Sequence, residues 1–120
     1  MKGIIILAHG SREKSTEETL IQVVEMMKKS VSDYDVEYGF MEFSEHTIER
    51  GLDNLLAKGI TDIAAIPYFL FEGIHIREDI PEELAHYQEQ HPEVTIHLGK
   101  TLGADERLAA VLLDRVKAAL

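Results

Sequence analysis

The chain has 120 residues, 45% of them hydrophobic, no cysteine and a formal charge of −10. That length and apolar content suit one domain, residues 1–120, with a core large enough to need no disulfide or structural metal. The missing thiols exclude a disulfide framework, cysteine-ligated zinc or iron–sulfur centres and cysteine nucleophiles, and fit a reducing, cytoplasmic setting; the acidic balance opposes nucleic acid or an anionic membrane as partner.

"GIIILA", Gly3–Ala8, is a continuous aliphatic run ending in "HGS", the pattern of a buried strand followed by a turn. It is too short for a secretory signal, and no later run nears the ~18 apolar residues of a spanning helix. Leu20, Val23, Val24, Met27 and Val31 then recur at helical spacing, with Ser11 fit to cap the helix start. "DVEYGFMEF", Asp35–Phe43, is a second strand, after which Ser44 is the expected cap of a helix carrying Ile48, Leu52, Leu55 and Leu56 on one face and closed by Gly59. "TDIAAIPYFLF" is the third strand, with Pro67 near its carboxyl end, where a missing N–H does least harm. Asp79 and Glu82 have the spacing of a capping box at the head of "IPEELAHYQEQ", with Pro81 in the first turn. "EVTIHLG" is a short fourth strand, and "ADERLAAVLLDRVKAAL" a final amphipathic helix with Leu108, Val111, Leu112 and Val116 expected inward.

This βαβαβαβα order predicts an α/β fold: a doubly wound, four-stranded parallel sheet of flavodoxin-like order 2-1-3-4, flanked by helices on both faces. Ligands of such sheets bind outside the carboxyl ends of the strands, where the order reverses. His9 ends the first strand, His75 follows the third and Glu42 ends the second, so the topology gathers two imidazoles and a carboxylate at one mouth. Each also has a plain reading: His9 as a polar turn residue, His75 as a loop residue, Glu42 as a solvated charge or a partner for the next helix start. His46 either approaches the same mouth or lies on the surface of that helix's first turn. His86 and His91 fall on an exposed helix and His97 on an edge strand. No GxxxxGK[ST] or GxGxxG pattern is present, so ATP and dinucleotides are not expected, and no GxSxG elbow supports a serine hydrolase. The charge of −10 calls for local cations beside any anionic ligand, and Arg12, Arg77, Lys100 and Arg107 follow strand ends. Phe40, Met41, Phe43, Tyr68, Phe69 and Phe71 offer apolar walls, with strand alternation expected to send about half into the core.

"ILAHGSR", "GFMEFSE", "IPYFLFEGIHIREDIP" and "LGADERL" together resemble the small CbiX-type class II chelatases, the short single-lobe form of the sirohydrochlorin cobaltochelatase and ferrochelatase family, over nearly the whole chain. The resemblance implies a cytoplasmic lyase that inserts a divalent metal into sirohydrochlorin during tetrapyrrole biosynthesis (cobalamin, sirohaem or F430). Co2+ is its first metal, with Ni2+ and Fe2+ as alternatives, and no ATP or other cofactor is used. It implies that His9 and His75 hold the metal and take part in proton removal beside Glu42. Arg12, Phe43, Tyr68, Phe69, Gly73 and Arg77 are then the substrate-binding candidates. One lobe of this size further implies a homodimer with two lobes face to face. Where the family commonly carries proline and serine, this chain has His46 and Thr47, so the pocket edge is expected to differ. A metal or tetrapyrrole carrier and a regulatory domain with structural histidines are the alternatives.

Overall fold

An aliphatic run such as Ile4–Leu7 is stable as a strand only if paired on both edges and covered on both faces, and this is where the chain puts it. The computed structural model describes residues 2–120, except the side chains of His75 and Ile76. Its elements are β1 (Lys2–Ala8), α1 (Lys14–Lys28), β2 (Tyr34–Phe40), α2 (Ile48–Ala57), β3 (Asp62–Pro67), a π-helical turn (His75–Asp79) running into α3 (Ile80–Gln90), β4 (Thr95–Leu98) and α4 (Glu106–Ala119). All neighbouring strands are parallel and the order is β2-β1-β3-β4, as the alternation predicts.

On one face of the sheet, Ile5, Leu7, Ile63 and Ala65 meet Ile48, Leu52 and Leu55 of α2 and Ile80, Leu84 and Tyr87 of α3. On the other, Ile6, Ala8, Val36 and Phe40 meet Leu20 and Val24 of α1. Burial of each large aliphatic side chain here stabilises by about 1.5–3 kcal/mol. The Tyr87 hydroxyl reaches the edge of the first cluster and donates to Asp53 Oδ1 at 2.7 Å. Burial, and then that bond, push its pKa above the ordinary tyrosine value. The seat of α2 on the sheet is tight: a Cβ on Gly39 would stand 2.5 Å from Ile48 Cα and 2.9 Å from Ile48 N.

Several local expectations are corrected. β2 ends at Phe40 rather than Phe43, where its outer edge receives the returning chain: the Phe40 N–H donates to the His46 carbonyl. β3 ends at Pro67, which has no N–H to give. Thr47, not Ser44, caps α2, accepting from Arg50 N at 3.1 Å. The Ser44 hydroxyl donates instead to Glu17 Oε1 at 2.5 Å. Ser11 accepts from Glu13 N at 3.1 Å in the turn before α1, whose N-cap is Glu13. Asp79 has helical backbone angles and makes no side-chain cap, because the π turn before it already supplies helical carbonyls to the head of α3.

The largest correction concerns α4. Leu108 is half-buried, but Val111, Leu112 and Val116 are exposed, and no residue of the helix is buried. After β4 the chain continues alongside the end of β3, with Gly99, Leu102 and Gly103 N–H groups donating to the Ala65, Phe69 and Leu70 carbonyls at 2.8–3.0 Å. This carries the helix start past the sheet, and the molecule extends 53 × 32 × 26 Å. The helical period identifies an apolar face without identifying the body that receives it. Among the described residues no helix is long and apolar enough to cross a membrane. Gly39→Ala is expected to lower stability by about 1–3 kcal/mol through overpacking between β2 and α2. Urea unfolding checks this; an unchanged midpoint would refute the tight seat.

Candidate functional site

The strand ends are laced together beyond the regular ladder. Met41 N donates to Ala8 O at 2.9 Å, Glu42 N to His9 O at 3.1 Å and Tyr68 N to Leu7 O at 2.6 Å. These bonds set His9, Glu42 and Tyr68 side by side at the carboxyl edge, where the strand order reverses. Gly10 makes the approach possible: its φ is +99°, and a Cβ there would overlap the Glu42 carbonyl oxygen. Once the backbones are this close the side chains meet as well. His9 Nε2 lies 3.0 Å from Glu42 Oε1, and the two side chains are 41% and 48% exposed. A carboxylate only accepts hydrogen bonds, so Nε2 carries the hydrogen in this contact. The pair can orient the ring and pass a proton while remaining open to an incoming ligand.

The remaining candidates are placed as follows. Gly73 is half-buried, with open space where a Cβ would stand, and its carbonyl accepts from Arg77 N at 3.1 Å. Arg77 is exposed on the π turn. The His75 side chain lies outside the described residues. Among the described residues no group of three or more His, Asp or Glu side chains could hold a metal, so the described part of the site is the His9–Glu42 pair. Arg12 stands over the Phe43 ring at 5.1 Å from its centroid. Phe43 and Tyr68 are exposed, whereas Phe69 packs against the α2–α3 core and Phe40 is buried in the α1 cluster. Phe69 therefore offers at most a partly covered edge, as pleat alternation would have it. Arg107 is held by Asp105 at 2.7–2.9 Å through both backbone and guanidinium bonds, which lower the Asp105 pKa.

Sequence reasoning missed the exposed Leu70 and Ile74, although the apolar run continuing past Pro67 was a usable signal. It also missed Glu37, which pairs with His46 at 3.0 Å. A lone glutamate in a strand carries no mark of its partner. Behind Phe43 an open groove of about 610 Å3 is lined by Arg12, Glu17, Tyr38, Ser44, His46 and Arg50. Burial, then the Glu17 and Glu37 carboxylates, raise the Tyr38 pKa, so its hydroxyl stays neutral in this groove.

The model of the CbiX family matches residues 3–119. The chain belongs to the CbiX family. The sirohydrochlorin cobaltochelatase of Methanosarcina acetivorans is 36% identical over 125 residues, spanning 98% of this chain and 96% of the relative. The sirohydrochlorin ferrochelatase of Priestia megaterium is 33% identical over 97% of this chain, which spans only 44% of that longer relative. Among solved structures, the sirohydrochlorin chelatase SirB from Bacillus subtilis subspecies spizizenii in complex with cobalt superposes with a TM-score of 0.91 at 35% identity, covering 98% of this chain and 51% of the other. SirB from Bacillus subtilis with Fe3+ gives a TM-score of 0.90 at 34% identity, over 99% and 48%. This CbiX-family chain thus corresponds in length to about half of SirB and to nearly all of the methanogen relative. In it, Gly10→Ala is expected to cost about 1–3 kcal/mol and to part Glu42 N from His9 O. Faster hydrogen exchange at the Glu42 amide would report the parting; unchanged protection would contradict it.

Proposed function

We propose that this protein inserts a divalent metal ion, Co2+ first with Ni2+ and Fe2+ as alternatives, into sirohydrochlorin without ATP, as a cytoplasmic enzyme of tetrapyrrole biosynthesis. The observation that carries the reading is the solvent-open His9–Glu42 contact at the switch point of a CbiX-family sheet. The names of the relatives as sirohydrochlorin chelatases supply the substrate class. Insertion must strip water from the ion, present it to four pyrrole nitrogens and remove two protons from the macrocycle. Imidazole suits Co, Ni and Fe without the tight hold of thiolate, and it gains or loses a proton near neutrality. In this reading His9 and His75 hold the metal substrate, and Glu42 steadies His9 and accepts a proton across the 3.0 Å contact. Phe43 and Tyr68 supply apolar walls, with Phe69 at the edge, and the open space at Gly73 lets the ring approach. Arg12 and Arg77 offset the macrocycle's carboxylates.

The working form in this proposal is a homodimer of one-domain chains, and α4 supports it. Val111, Leu112, Leu113, Val116 and Leu120, with Leu70 and Phe71 beside them, are between 46% and 102% exposed. Large apolar side chains exposed together on one helix mark an interaction surface. Leu70, Phe71, Leu108, Val111 and Leu112 line a groove of about 770 Å3 whose wall also carries Asp105, Glu106 and Arg115. An antiparallel second copy would lay the far half of its α4 there, with Arg115 and Lys117 near those carboxylates.

Mixing the protein with sirohydrochlorin and each metal while following the absorption spectrum should reveal insertion faster than in a metal-only control. Insertion no faster than the metal-only control for all three metals would end the enzymatic reading, and tight stoichiometric binding without turnover would favour a carrier. Glu42→Gln should lower the insertion rate by about 10–100-fold with the fold retained by circular dichroism. Leu112→Glu is expected to convert a dimer into a monomer in analytical ultracentrifugation, whereas a wild-type protein that sediments as a monomer at all concentrations would exclude the dimer.

A further inference from the structure

The loop from Met41 to His46 carries Glu42 to His9, and its two arms are held differently. The outgoing arm is tied to β1 by the Met41 and Glu42 N–H groups. At the tip Phe43 sits at φ 61°, a left-handed conformation that a phenylalanine keeps only where its surroundings enforce it. The returning arm ends at His46, whose backbone N–H, carbonyl and ring Nε2 are all engaged. Its carbonyl takes the Phe40 N–H at 2.9 Å, closing the loop at its base. Its own N–H donates to Ser44 Oγ at 3.0 Å, and that hydroxyl donates onward to Glu17 on α1. Its ring nitrogen Nε2 meets Glu37 Oε1 at 3.0 Å, and the ring stacks on Tyr38 with centroids 4.0 Å apart. The second Glu37 oxygen accepts from Asn54 of α2 at 3.2 Å.

The His46 and Glu37 side chains are 18% and 16% exposed, the most shielded histidine–carboxylate contact among the described residues. A shielded pair is costly to break, since Glu37 Oε1 would be left with little water and only the longer Tyr38 N–H contact at 3.3 Å. The ring therefore clamps the loop base between β2 and α2, with Glu42 only a few residues away across the strained Phe43. We infer that His46 is a positioning residue for the His9–Glu42 pair, acting through the Glu37 carboxylate and the Tyr38 ring to hold the returning arm of the loop. It does not touch the reacting pair. Its effect on turnover rests on the function proposed above, while its effect on geometry does not.

The two can be tested apart by reading the His9 imidazole nitrogen and proton resonances in the metal-free full-length protein, assigned by their loss in His9→Gln. His46→Ala should shift the His9 ring signals toward their position in Glu42→Gln, and His46→Gln, which keeps a donor for Glu37, should bring them at least halfway back. If His46→Ala does not fold, Glu37→Gln serves in its place and should give the same direction of shift. His9 signals that stay at the wild-type position, or that remain displaced in His46→Gln, overturn the assignment; a residue that only stabilises the fold would lower the melting temperature without moving them. In an active preparation His46→Ala should also lower kcat about tenfold, and a wild-type protein that inserts no metal would count against the proposed function alone.

Discussion

Gly10 and the Glu42 carbonyl oxygen share a space that admits no side chain, and much of the molecule's carboxyl edge follows from this one close approach. With Gly10 in the left-handed region, the turn after β1 folds back beneath the loop after β2, and the backbone ladder runs on through Ala8 and His9. His9 and Glu42 then have little choice but to meet. The same economy of volume recurs at Gly39, where α2 crosses β2 at near-contact distance and fixes where the loop must return. Two glycines without side chains thus set the position of a histidine and a carboxylate that have them.

The strand order and the gathering of His9 and Glu42 were legible because they depend on signals repeated along the chain. Aliphatic runs alternating with three-four periodicity leave few topologies, and a doubly wound order puts strand ends one and two together whatever the details. What was not legible depended on partners distant in sequence. Ser44 has the chemistry of a helix cap, yet Glu17 on α1 takes its hydroxyl and Thr47 does the capping. Asp79 has the spacing of a capping box, yet the helical carbonyls begin earlier. Phe69 and Tyr68 look alike as apolar residues after a strand, and only the pleat decides which turns to the core. Glu37 and His46 are separated by a loop, and neither announces the other. For α4 the periodicity is plain, but an apolar face says nothing of whether its cover lies in the same chain.

Charge links the site to the rest of the surface. A net charge of −10 draws divalent cations toward the protein and opposes a polyanionic macrocycle, so under the proposed reading the two substrates meet opposite fields. Local cations must then do for the macrocycle what the overall charge does for the metal. Arg12 is held over Phe43 at the mouth, while Arg107 is engaged by Asp105 away from it. The field weakens with ionic strength over about 10 Å at 0.1 M, so the balance between the two substrates is a property of the medium as well as of the chain.

The π turn between Gly73 and α3 has a geometric meaning of its own. Such a turn holds one residue more than an α-helical turn, so the segment His75–Asp79 has absorbed the equivalent of a single inserted residue without breaking the helix behind it. Taking one residue out would let the turn relax to α geometry with its flanks nearly in place, because the wider π turn spreads one more residue over about the same rotation. The extra residue therefore alters the spacing of residues within the turn itself, while the backbone on either side keeps its direction.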